Sequence, residues 1–208
     1  MDAKPSQRGA CMPKVIDHDQ RRRDIIEVTR GLIIQGGIEA ATMREIAAEA
    51  GFANGALKHY FPGKDDIIQG TYELSLAQMS ELVRDGVGTK RGIEALRGIS
   101  QSALPLDTER ITAARVLLSF WERAASNEHL HEIYANHLVI WRQALAQYIA
   151  EGREDGDILS QTPDEQLIDE LVIMNVGANL MSLMGPQMST PELQQAHLDA
   201  FFERLTRP

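Results

Sequence analysis

One cysteine, Cys11, stands in the 208 residues, so no disulfide can close within the chain, and the sequence suits a reducing cytoplasm. Aromatic residues are scarce at 5%, while Leu, Ile, Ala and Met are plentiful, a mix that favours helices over pleated sheet. No strand-like alternation of apolar and polar residues stands out, and there is no internal repeat or low-complexity tract. No apolar run approaches the roughly 18 residues needed to span a bilayer. No stretch has the charged, apolar and cleavage-site segments of a secretory leader. A disulfide scaffold, a β-rich fold, a repeat array and a membrane protein are all disfavoured. What remains is an apolar share of 43%, enough for a sizeable core.

The net charge of −9 speaks at first against a nucleic-acid partner, but it is unevenly spread. Residues 1–64 carry ten Lys and Arg against eight Asp and Glu, whereas residues 65–208 carry eleven against twenty-two. An anionic partner is therefore expected at the N-terminal third.

Helical periodicity divides the rest into about nine helices in an all-α fold. Residues 1–16 lack periodicity and are expected to form a mobile extension, and Met12-Pro-Lys reads as an alternative start. A first helix begins after Asp17, with Ile25, Val28, Leu32 and Ile33 on one side, and stops at Gly36-Gly37. Thr42 opens a second helix with the Thr-x-x-Glu form of a capping box. Gly51 ends it, and Asn54 caps a short third helix carrying Leu57, Tyr60 and Phe61 before Pro62-Gly63. Further helices are expected over about 64–85, 93–103, 108–126, 129–153, 164–184 and 191–205. The expected division is an extension (1–16), a first domain (17–63) and a larger second domain (64–208).

The second and third helices are joined by about three residues including a glycine. That is helix-turn-helix geometry, in which the second helix of the pair can lie in a DNA major groove. Small residues at Ala47, Ala50 and Gly51 allow a close crossing, and Met43, Ile46 and Leu57 can form a miniature core with Ile25, Leu32 and Ile33. The outer side then presents Asn54, Gly55, Lys58 and His59 to DNA, with Tyr60 and Lys64 placed to meet phosphates. Thr42 and Arg44 sit at a helix start, which favours phosphate, and Arg22 represents the basic run Arg21–Arg23. The plain alternative is an αα-hairpin with solvated charges.

The stretch "TMREIAAEAGFANGALKHYFPGKDDI" resembles the N-terminal signature of the tetracycline-repressor (TetR) family of bacterial regulators. The matching positions are Thr42, Ile46-Ala47, Ala50-Gly51-Phe52, Gly55, Leu57, His59-Tyr60-Phe61 and Lys64. The later stretch "LLSFWERAASNEHLHEIYANHLVIWRQALAQYIAEGREDGDI" is similar to the C-terminal domain of betaine-pathway (BetI-type) repressors. Two departures stand out: Ala53 replaces a frequent Ser or Thr that would cap the third helix, and Lys58 replaces a frequent Tyr. The resemblance implies a homodimer joined through its last two helices, a near-palindromic double-stranded DNA operator, and a small-molecule effector held inside the C-terminal domain. A cytoplasmic, ligand-responsive repressor is expected, with no cofactor and no membrane partner.

Other sites compete for attention. His129 and His131 are two apart, which splays them on a helix; His129 and Glu132 have better spacing but no evident third metal ligand. Trp121, Tyr134, His137 and Trp141 lie on inward stripes and, with Asn175 and Asn179, are the candidate effector pocket. The polar stripe Asn175, Asn179 and Ser182 can equally line a cavity or cross a dimer interface. Leu180, Leu183, Leu198 and Phe202 are the candidate interface, because a helix apolar all round must be covered on two sides. Two further functions stay open: an interaction protein whose helix-turn-helix no longer binds DNA, and a helical enzyme using His137 or the His129/His131 region. The enzyme reading lacks a nucleophile–base pair.

Overall fold

The structure is a computed structural model that describes residues 17–208 apart from Asn54, so the expected N-terminal extension and the Asn54 cap lie outside the described residues. The described chain folds into eight α-helices and one short 3-10 turn, with no strand among the described residues. The helices are α1 (His18–Ala40), α2 (Met43–Glu49), α3 (Lys64–Val87), α4 (Gly92–Ala103), α5 (Thr108–Ala124), α6 (Glu128–Glu154), α7 (Asp164–Met184) and α8 (Pro191–Leu205). The 3-10 turn spans Ala56–His59.

Side-chain caps set the helix starts. Asp17, Asp107, Asn127 and Thr190 each accept from a backbone N–H three residues on. Thr42 Oγ1 likewise accepts from Glu45 N at 3.2 Å, but the Glu45 carboxylate turns to Arg44 at 2.9 Å, so the side chains complete one arm of the expected box. The first helix reaches past its expected stop. Gly37 takes φ 72° at the Gly36-Gly37 break, which a side chain would resist, and one more turn follows to Ala40. The expected third helix is reduced to the four-residue 3-10 turn.

Three apolar clusters hold the fold. The first joins Ile25, Ile33, Ile46, Leu57 and Phe61 with Met43 and Leu32 at its edge, and it also takes Ile67 from α3 and Val116 from α5. The second is a junction of Ile38, Ile68, Tyr72, Leu117, Phe120 and Leu130. The third fills the C-terminal body and includes Leu96, Leu145, Ile149, Leu171, Leu198, Phe201 and Phe202. Burial of each large side chain contributes about 1.5–3 kcal/mol. The α3 helix thus belongs to the head at its start and to the body at its end. It crosses α4 closely, because a Cβ at Gly98 would lie 2.7 Å from the Gly86 carbonyl oxygen.

Two expectations need correction. The α7 helix holds no unbroken apolar run near 18 residues, yet over its 21 residues it is apolar enough, by length and composition, to cross a membrane. Leu198 and Phe202, expected at an interface, are each 1% exposed inside the protomer's own core. Their face of α8 was already needed to cover α4 and α7, and the Arg97 guanidinium lies 4.2 Å from the Phe202 ring centroid. Leu180 is exposed and Leu183 half-buried; beside them the outer surface carries Ile173, Met184 and Met188, each at least 70% exposed.

Candidate functional site

The head presents an exposed surface built on short elements. Gly51 at φ 72° turns the chain out of α2, and Phe52 N returns to Ala47 O at 2.8 Å. The next turn is fixed by Ala56 N donating to Ala53 O at 2.9 Å. Leu57 enters the core, so its neighbours Gly55, Lys58 and His59 face outward and are exposed. Thr42 and Arg44 are exposed on the adjoining end of α2.

The other expected DNA-contacting residues are held inside the head. Arg22 donates through Nη1 to the Tyr60 carbonyl, and its guanidinium stands 4.1 Å from the Phe61 ring centroid. Tyr60 is half-buried, 4.6 Å from the His18 ring and 5.3 Å from the Phe52 ring. Lys64 Nζ donates to the Ile38 carbonyl at 2.8 Å, satisfying a group at the end of α1. Arg22 and Lys64 therefore fasten the turn and α3 onto α1. Asn54 lies outside the described residues.

In the body, α3–α7 surround a cavity of about 400 Å³. Trp121, Tyr134, His137, Trp141 and Asn175 all line it. Asn179 does not: it is buried behind the wall, where Nδ2 donates to Ala103 O at 3.2 Å and Asn175 O at 3.0 Å. Ser182 Oγ in turn donates to Asn179 O at 2.8 Å. The polar stripe of α7 therefore turns into its own protomer. Tyr72, not among the expected pocket residues, also lines the cavity; it stacks on Phe120 at 3.7 Å and its hydroxyl lies 2.9 Å from His137 Nδ1. Only the gathering of α3, α5 and α6 around the cavity brings these residues together, and no sequence spacing carries that signal.

The wall is electrically quiet. Burial pushes the Tyr72 and Tyr134 phenols above their ordinary values and the His137 imidazole below its own, so each is neutral near pH 7. Among the described residues no Asp, Glu, Lys or Arg lines the cavity. Two buried N–H groups on lining residues, Trp121 Nε1 and Asn175 Nδ2, have no hydrogen-bond partner among the described residues. A second, shallower hollow of about 440 Å³ lies between α7 and α8, bordered by Met181, Met188, Leu193, Gln194 and Arg204.

The histidines of the alternative readings are dispersed. His129 Nε2 lies 3.1 Å from Gln69 Oε1, and His131 is exposed. Among the described residues no group of three or more His, Cys, Asp or Glu is placed to hold a metal ion.

Comparison with known proteins bears on both regions. Residues 25–70 match the family model described as bacterial regulatory proteins of the tetR family. Residues 92–207 match that of the BetI-type transcriptional repressor C-terminal domain. The chain is 28% identical over 177 residues to the HTH-type transcriptional regulator PksA of Bacillus subtilis, covering 84% of each chain. It is 32% identical over 127 residues to the HTH-type transcriptional regulator BetI of Pectobacterium atrosepticum, covering 59% of this chain and 64% of that one. Its fold is similar to that of a putative transcriptional regulator from Saccharomonospora viridis crystallised with choline, with TM-score 0.81, 22% identity, and coverage of 89% and 96%.

Proposed function

We propose, for a chain that belongs to the tetR family of bacterial regulators and carries its BetI-type repressor domain, how the parts of this regulator work together. The protein is a transcriptional regulator of a family whose members bind DNA operators and small-molecule effectors and act as dimers. In our reading it is a cytoplasmic, homodimeric repressor without enzymatic activity. Each protomer sets the turn Ala56–His59 into one half of a near-palindromic operator. Arg44, Gly55, Lys58 and His59 meet the DNA, and the head is assigned to residues 17–63. The exposed apolar face of α7, with Leu180, Met184 and Ile173, packs against a second copy, which also accounts for a helix so apolar outside any membrane. An effector enters the cavity between α3 and α7 and releases the DNA.

One observation carries this reading: α3 is continuous from the DNA-facing head to the cavity wall. Its Lys64 is bound to Ile38 of α1, its Ile67 packs in the head core, and its Tyr72, Leu76, Met79 and Val83 line the cavity. A ligand that displaces this helix moves the head with it, provided that it binds the two placements unequally. The choline bound to the Saccharomonospora regulator, together with the aromatic rings of Trp121, Tyr134 and Trp141 here, makes a quaternary amine a ligand class to test after a generic apolar molecule.

A gel-shift titration with the DNA upstream of the chain's own gene tests the reading. Saturable binding that Lys58→Ala weakens is expected. No specific binding to that DNA, or binding indifferent to both Lys58→Ala and Arg44→Ala, would refute this docking.

A further inference from the structure

The geometry points to the chemical class of the effector: a neutral, largely apolar molecule carrying hydrogen-bond acceptors of the ester, ketone or lactone kind, rather than a quaternary ammonium ion. This rests on the proposal that the cavity is the effector site.

The first argument is charge. Among the described residues lining the cavity none bears a formal charge, and its titratable groups, Tyr72, Tyr134 and His137, are held in their neutral forms by burial. A cation entering such a wall loses its hydration and gains no counter-ion. Aromatic faces at Trp121, Tyr134 and Trp141 offset part of that cost.

The second argument is the sign of what is missing. Both unpartnered buried polar atoms on the lining residues are N–H donors, Trp121 Nε1 and Asn175 Nδ2. Asn175 is 8% exposed, and Asn179 Nδ2 already lies 3.3 Å from its Oδ1, so its amide group is left to seek an acceptor. A buried donor without a partner is costly. Neither nitrogen has accessible surface of its own, so a ligand oxygen relieves that cost once the Trp121 ring or the Asn175 amide turns its N–H into the cavity beside it. A trimethylammonium group supplies no acceptor and gives neither side chain a reason to turn. The cavity of about 400 Å³ falls in the range of roughly 300–1,000 Å³ that holds drug-sized, mostly apolar ligands.

Tryptophan emission of the full chain tests this, because Trp121 and Trp141 are its only tryptophans and both line the cavity. The probes are octyl acetate and octyltrimethylammonium, matched in their number of non-hydrogen atoms. Octyl acetate is expected to bind at least about 10-fold more tightly than the cation. In Asn175→Leu that preference is expected to shrink by about 5-fold, one hydrogen bond's worth. Asn175 also accepts a bond from Asn179, so Trp121→Phe serves as the second variant, with Trp141 as reporter. Equal or tighter binding of the cation, or a preference unchanged in both variants, overturns the ligand class. The same titrations in the operator gel shift separate the two proposals. Operator release by the cation alone overturns the class and leaves the effector role standing. Preferred binding of the ester with no release by either probe supports the class and refutes the effector role. No binding of either overturns both.

Discussion

Tyr72 on α3 and His137 on α6 lie 65 residues apart in sequence, and the Tyr72 hydroxyl meets His137 Nδ1 at 2.9 Å in the cavity wall. The phenol is held protonated by burial, so its O–H can donate to the Nδ1 of a neutral imidazole. Removing the hydroxyl with Tyr72→Phe keeps the stack on Phe120 and leaves His137 short of a partner. A loss of about 1 kcal/mol is expected in urea unfolding. Unchanged stability would show that the bond is worth nothing net.

The same pair predicts an acid-sensitive step. Burial lowers the His137 pKa in the folded chain, so the unfolded chain, at 6.5, takes up this proton first. The stability that His137 contributes is present above about pH 6.5 and is lost as the pH falls from there towards the folded-state value. Thermal melts between pH 8 and 5 should show a shallower acid decline in His137→Gln than in wild type. Parallel curves would place the decline on other groups.

The exposed and the fastened head residues should separate in mutation. Arg44→Ala and Lys58→Ala are expected to leave the melting temperature unchanged and to weaken binding to all duplexes. Each lost phosphate contact should flatten the salt dependence by roughly one unit of slope. Arg22→Met and Lys64→Met are expected instead to lower the melting temperature, because they break the bonds to Tyr60 and Ile38. Melting curves and salt titrations on the four variants check this, and a reversed pattern would mean that the head docks by its other side.

The interface should likewise be distinguishable from the core. Leu180→Asp and Met184→Glu are expected to give folded monomers, since both residues are exposed on α7. Phe202→Asp is expected to prevent folding, at a cost of about 4 kcal/mol or more. Sedimentation with circular dichroism separates the outcomes. A monomeric wild type at micromolar concentration would sink the proposed dimer.

Local chemistry was legible in the sequence because it acts over a few residues. The Thr42 cap, the Gly51 turn and the apolar spacing of Ile25, Ile33, Ile46 and Leu57 each follow from neighbours along the chain. The inward stripes also pointed to Trp121, Tyr134, His137, Trp141 and Asn175, which the structure places on one cavity. What stayed hidden depends on which helix faces which. An exposed lysine and one whose ammonium meets a distant carbonyl look alike in sequence, so the bond from Lys64 to Ile38 could not be read there. Phe202 read as an interface residue because an apolar stripe does not say whether its cover comes from the same chain.

Asp65, in the first turn of α3, is the point nearest the head where polar bonds from α5 and the start of α6 hold that helix. The Arg123 side chain of α5 donates to it twice, Nε to Oδ1 at 2.7 Å and Nη2 to Oδ2 at 3.0 Å, and Asn127 Nδ2 adds a third bond at 2.8 Å. The Arg123 guanidinium is the main cause that holds the Asp65 carboxyl below its ordinary value. Its contribution to stability is therefore present above about pH 3.8 and lost as the pH falls through the folded-state value. Both side chains are partly exposed, at 46% and 31%, so Asp65→Asn should cost less than about 1 kcal/mol of folding stability. Its effect on communication should be larger. In the proposed mechanism operator and effector oppose each other through α3, and typical couplings of this kind amount to about 1–3 kcal/mol. The coupling is read as the ratio of effector affinities with and without saturating operator DNA. In Asp65→Asn the head end of α3 loses its tie to α5 and α6, so movements of those two cavity helices pass less well to the head, and that ratio should fall. Both separate affinities should stay within a few-fold of wild type. A ratio equal to that of wild type would mean that the signal travels by another contact.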